Sequence, residues 1–306
     1  MVAFDTSLLA AEVVLLLVGF GYASVADLRT REVTDVLWQA LGAAGLVVGA
    51  VLVAPGGWVP LGLWLLVALL TLQHMFAWDV RLGAIGERYA DLLELALYAA
   101  VIVVVALAVA RVGFGANGVP LAVVAVLLTV LFARGLFELG VLFGGADAKA
   151  LMVAGLLVPI WASPLFVPGT AAATLNAISP FSITLLMDAA IASVAVPLAL
   201  AVRNAARREF AFPRGFTGYS IPVAELPHRF VWVRDPAVPT PRKDEEAAET
   251  SEEDHARRVE IAQELGRRGI ARVWVTPQIP FVVVMTVGAV AALLAGNLVI
   301  DILAVL

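Results

Sequence analysis

Apolar residues run through this chain in blocks of about twenty, the length that crosses a hydrocarbon core as an α-helix. Short polar or turn-forming stretches divide them. The pattern predicts spans near residues 8–27, 35–54, 59–78, 91–112, 119–141, 147–167, 182–203 and 279–304. Turn chemistry marks several boundaries: APGGW at 54–58, GFGAN at 113–117 and VPGTAAATLNAISP at 167–180. Pro159 and Pro164 interrupt the sixth block and Pro197 the seventh, which shortens the helices expected there. No basic segment precedes the first block, so it reads as a retained span rather than a cleaved leader. Small residues recur in AGLVVGAV (44–51) and GAVAALLAG (288–296), as expected where helix backbones approach closely. The expected fold is all-α, a polytopic transmembrane helical bundle of about eight spans, with six as its conservative core.

Residues 203–272 break the pattern. They hold 25 of the 45 formal charges, 13 basic and 12 acidic. Prolines punctuate the first part, and DEEAAETSEEDHARRVEIAQELGRRG reads as a charged helix with opposite charges at helical spacing. The expected organisation is a membrane bundle over 1–202, a charged cytoplasmic loop or subdomain over 203–272, and a C-terminal span over 273–306. Basic residues orient it. With the N-terminus outside, Arg29, Arg31, Arg81, Arg88, Arg134, Lys149 and the 13 of the long loop face the cytoplasm, leaving Arg111 outside.

Composition agrees with a membrane protein and narrows the chemistry. The chain is 61% hydrophobic and 15% charged, against about 25% charged in soluble domains. It has no cysteine, which removes disulfides, thiolate metal sites and a cysteine nucleophile. His74, His228 and His255 lie far apart and no HExxH occurs, so no metal site and no cofactor are expected. No serine with a histidine or lysine partner lies in a glycine-flanked turn of a span. Nothing points to nucleic acid.

Against that background two aspartates stand out. Asp27 closes the first apolar block in YASVADLRTREVTD, and Asp147 opens the sixth in LFGGADAKALM. An ionised carboxylate costs roughly 2.5–3.5 kcal/mol at the centre of an inserted helix, so such groups sit at interfaces or in wet cavities. The topology above brings both to the cytoplasmic face. Two nearby carboxylates hold one proton between them; the ionised one can deprotonate a water while the protonated one hydrogen-bonds a scissile carbonyl. Gly144 and Gly145 allow an irregular turn before the helix, and Asp147 falls near a helix N-terminus. Each aspartate also has a structural reading: Asp147 as an ordinary helix cap, Asp27 as an interfacial partner of Arg29 and Arg31. Lys149 is either an electrostatic neighbour of Asp147 or a group that snorkels to lipid phosphates.

Three stretches resemble the archaeal type IV prepilin and preflagellin peptidases, membrane aspartic proteases of the GxGD class. They are Ala26-Asp27-Leu28-Arg29 with Arg31-Glu32-Val33, GGADAKAL at 144–151, and WVTPQIPF at 274–281. The resemblance implies that Asp27 and Asp147 are the catalytic pair; Gly144, Gly145, Ala146 and Lys149 around Asp147 are expected to shape the site. Ala146 stands where the family has its second glycine, giving GGAD. The resemblance implies a multi-pass enzyme of the cell membrane that removes the short basic leader of a pilin-like or flagellin precursor at the cytoplasmic face. The partners implied are that precursor and the bilayer. The cysteine-rich region of the methylating bacterial relatives is absent, so no N-methyltransferase activity is expected. A basic leader suits an acidic receptor, for which Asp79, Glu87 and Asp91 are candidates; pairing with Arg81 and Arg88 is the alternative. The competing function is a proton-coupled transporter using intramembrane carboxylates, for which the chain offers also Asp188.

Overall fold

The computed structural model describes residues 6–76, 87–115, 118–142, 144–161, 178–234 and 251–305. In chain order its helices are α1 (Thr6–Thr30), α2 (Asp35–Val53), α3 (Trp58–Gln73), α4 (Glu87–Val112), α5 (Leu121–Glu138), α6 (Gly145–Leu157), α7 (Phe181–Ser193) and α8 (Ala195–Ala206). Then follow α9 (Ser251–Arg267), α10 (Phe281–Ala295) and α11 (Leu298–Val305). Three strands, β1 (Tyr219–Pro222), β2 (Val231–Val233) and β3 (Arg272–Pro277), flank α9 in sequence.

Five described segments are long and apolar enough to cross a membrane: Ala10–Thr30, Asp35–Gly56, Leu92–Val112, Leu121–Glu138 and Phe181–Ala206. Trp58–Gln73 and Phe281–Ala295 are apolar but shorter. The architecture is that of an α-helical polytopic membrane bundle. Lipid tails are as apolar as leucine, so such helices associate through close packing and buried polar contacts rather than through exclusion of water. Both are present. A Cβ at Gly288 would lie 2.4 Å from the Leu185 carbonyl oxygen, so α10 and α7 touch backbone to backbone. Thr129 and Ser182 hydroxyls meet at 2.6 Å between α5 and α7, and Ser24 and Thr286 at 2.7 Å between α1 and α10.

α6 is the axis of the bundle. It packs against α1, α2, α3, α5, α7 and α10, and every residue from Ala150 to Leu157 is buried. It stops well short of the span expected at 147–167. Val158 leaves the helix at φ −129°, ψ 81°, because the residue before a proline, here Pro159, is forced out of the α region. Residues 162–167 of that expectation lie outside the described residues.

The polar stretch carries an element that its charges concealed. β3 pairs antiparallel with β1 on one side and β2 on the other. The strands bury alternate residues, Val273 and Val275 from β3 with Ile221 and Val231. α9 covers that face with Leu265 and Ile261. Its opposite face is charged, with Glu264 bonded to both Arg267 and Arg268. The short sheet thus has a hydrophobic cluster of its own beside the membrane bundle, and β3 leads through Gln278 and Pro280 directly into α10.

Candidate active site

The last turn of α1 carries Asp27. One turn earlier the Ser24–Thr286 hydroxyl contact pins α1 to α10. Thr286 also donates to Val282 O (2.8 Å) in its own helix. The pinning brings the start of α10 beside Asp27, where the Val282 amide lies near enough to act on the Asp27 carboxylate. Val282 follows the first residue of α10 after the Pro280 cap. Its amide is one of the helix N-terminal donors that have no partner within the helix.

Asp147 is held in the same manner by its own helix. The N-cap of α6 is Gly144, in extended backbone (φ −100°, ψ 132°), and Asp147 is the third helical residue. Its carboxylate lies back against Gly144, near enough for the Gly144 amide to act on it. This is the position that the acidic partner takes in a capping box. The Asp147 N–H in turn donates to the Gly144 carbonyl at 3.1 Å. The two carboxylates are close enough to interact electrostatically. Each lies beside a helix N-terminus, and both are half-buried.

The neighbours expected from sequence fall in different places. Gly144 lies against Asp147, where an added Cβ would stand 3.1 Å from Oδ2. An added Cβ at Gly145 would meet no atom within 4 Å. Ala146 occupies the second position of α6 and is half-buried. Lys149 pairs with Asp35 Oδ1 at 2.5 Å, which ties the second turn of α6 to the first turn of α2. Of the leader-binding candidates, Asp79 lies outside the described residues. Glu87 and Asp91 are described in backbone only, in the first two turns of α4.

Two other buried acids are apart from this pair. Asp188 is 1% exposed; its Oδ1 accepts the Leu298 N–H at 2.9 Å and so caps α11. Glu12, 2% exposed, sits near the start of α1. Among the described residues no cluster of three or more His, Cys, Asp or Glu side chains suits a metal ion.

One group near Asp27 carried little sequence signal. Arg31 follows α1, and its guanidinium stacks on the ring of Phe230 at 5.0 Å from the centroid. Sequence offered Arg31 only as an ion-pair or topology residue, and Phe230 had no signal at all. The stack joins the membrane bundle to the sheet subdomain beside one of the two carboxylates.

These features define a class: an α-helical membrane protein with an aspartate pair where short helix ends meet a small polar subdomain. Residues 212–298 match the family model described as Archaeal Peptidase A24 C-terminus Type II. This match supports the archaeal prepilin and preflagellin peptidase family, and with it a protease acting on precursor proteins. It spans the sheet, α9 and α10, including the WVTPQIPF stretch; neither aspartate lies in it. A comparison with curated proteins finds no match.

Proposed function

We propose that this chain is an aspartic endopeptidase of the cell membrane. It removes the short basic leader from type IV pilin-like or archaeal flagellin precursors at the cytoplasmic face. Asp27 and Asp147 share a proton, and the ionised member activates the water that attacks the scissile carbonyl while its partner hydrogen-bonds the carbonyl oxygen. The observation that supports this most is that two carboxylates from distant parts of the chain lie within electrostatic reach of each other, each beside the N-terminus of a helix. An ordinary capping role explains Asp147 alone; it does not explain a second acid beside it.

The family match supports a peptidase acting on precursors. The aspartic mechanism, the multi-pass topology, the cytoplasmic site and cleavage without N-methylation belong to the proposal. Of the residues expected to shape the site, Gly144 acts on Asp147 directly, Lys149 braces α6 against α2 through Asp35, Ala146 lies between them, and Gly145 leaves room for a side chain. Asp79, Glu87 and Asp91 are the proposed receptors for the basic leader.

Purified enzyme in liposomes, given a prepilin or preflagellin precursor, tests the reading. Wild type cuts at the junction of leader and hydrophobic helix. Asp27→Asn and Asp147→Asn each lose about a hundred-fold or more of the rate, the usual range for removing an acid–base group. Substantial cutting by both variants would show the aspartates to be structural.

A further inference from the structure

Arg31 adopts a left-handed backbone conformation, φ 61°. Glycine takes that position after a helix at lower strain. A long cationic side chain there costs strain that its contacts must offset. Its guanidinium lies on Phe230, and Arg258 lies on the same ring at 5.5 Å. Arg258 is buried and ion-paired with Asp254, which also accepts the Gln278 side-chain amide at 3.0 Å. The Gln278 backbone N–H donates to the Phe230 carbonyl at 3.0 Å. Phe230 is therefore fixed from two sides, and it fixes Arg31.

The held guanidinium stands within electrostatic reach of Asp27. Yet its Nε and Nη1 are buried and, among the described residues, have no hydrogen-bond acceptor. A buried donor that carries charge is costly to leave unmade, and an unsatisfied one at a site is a place that a ligand completes. Guanidinium donors take oxygen acceptors. A precursor lying beside Asp27 presents such oxygens along its backbone, and on any acidic side chain near the cut.

We infer that Arg31 binds an oxygen acceptor of the precursor beside the scissile bond, and that the soluble subdomain holds it there through Phe230. This rests on the peptidase reading. It makes the subdomain part of the substrate site, not a bystander loop.

The experiment compares cleavage kinetics and melting temperature for wild type, Asp27→Asn, Arg31→Gly, Arg31→Lys and Phe230→Leu, full length in liposomes. Arg31→Gly suits the left-handed backbone, so it melts at or above wild type. Its kcat/KM falls by about ten- to a hundred-fold, carried mainly by KM, as expected for lost binding. Arg31→Lys recovers part of the loss. Phe230→Leu, apolar but without a ring face, shifts KM the same way by less. Repeating the wild-type and Arg31→Gly comparison on a precursor whose acids near the cut are amides separates the two oxygens. A persisting difference identifies a backbone carbonyl; a vanished difference identifies a carboxylate. Arg31→Gly cutting at the wild-type rate while Asp27→Asn is silent overturns the inference and leaves the dyad standing. Cutting by Asp27→Asn removes Asp27 from the chemistry and the inference with it, whereas a wild type that does not cut removes the peptidase reading itself.

Discussion

A Cβ added at Gly144 would press on Oδ2 of Asp147, whereas one at Gly145 would point into open space. The two glycines are adjacent in sequence and equally suggestive there; only the side to which each Cα faces separates them. Gly144→Ala displaces the carboxylate by a few tenths of an ångström. Catalytic geometry is steep, since an error of about 1 Å can cost a hundred-fold. Cleavage by Gly144→Ala is expected to fall several-fold with little change in melting temperature. Gly145→Ala keeps wild-type activity and gains slightly in stability, since alanine is favoured over glycine within a helix by roughly 0.5–1 kcal/mol. Equal kinetic effects from both substitutions would show that the turn, rather than the room left for Asp147, is what matters. At this scale the aspartates themselves were legible, because acids in apolar blocks have few excuses. Their amide partners were not: Val282 looks like any valine of an apolar run, and its N–H is informative only once α10 docks on α1. Lys149 shows the same limit, since nothing local chooses Asp35 over Asp147 as its partner.

Helix ends make the site, and helix packing sets where the ends fall. The apolar blocks reported the long helices well because span length is imposed by the membrane. α6 is shorter than its block because it is surrounded by other helices, and Pro159 stops it. The sheet was hidden for another reason. Its strands are short, and β1 and β2 have no more than four residues each, too few for alternation to rise above a charged background. RVWVTP alone alternates clearly, and it was absorbed into the start of the last span. α10 carries the largest consequence. It meets α7 at Gly288, where an added Cβ would strike the Leu185 carbonyl oxygen and the Ala189 nitrogen (2.6 Å). Backbone cannot swing aside as a side chain does. Gly288→Ala is expected to destabilise by about 1–3 kcal/mol, the usual cost of overpacking, seen as a lower melting temperature. Because Val282 lies on the same helix, cleavage should fall as well. A variant with unchanged stability would mean that α7 and α10 are not in backbone contact.

The whole molecule sorts its chemistry to one end. Asp27, Arg31, Asp35, Asp147, Lys149, Phe230 and Val282 are linked there by the contacts described above, and the sheet subdomain joins the bundle at the same end. Trp58, 88% exposed, opens α3 after the turn that ends α2, so it belongs to the opposite end. Nineteen of the 20 basic residues were assigned to the cytoplasmic side from sequence. The positive-inside rule weighs short loops and discounts long ones, so the orientation rests mainly on the bases outside the 203–272 stretch. The absence of cysteine makes the orientation directly measurable, because any introduced thiol is the sole one. Glu260→Cys, on the exposed face of α9, and Trp58→Cys are each expected to keep cleavage activity. In right-side-out vesicles a membrane-impermeant maleimide should label Trp58→Cys, while Glu260→Cys reacts only after the vesicles are opened. The reverse pattern would turn the carboxylate pair to the exterior. Precursors would then meet the enzyme only after crossing the membrane, and a basic leader, which resists that crossing, would no longer suit the site.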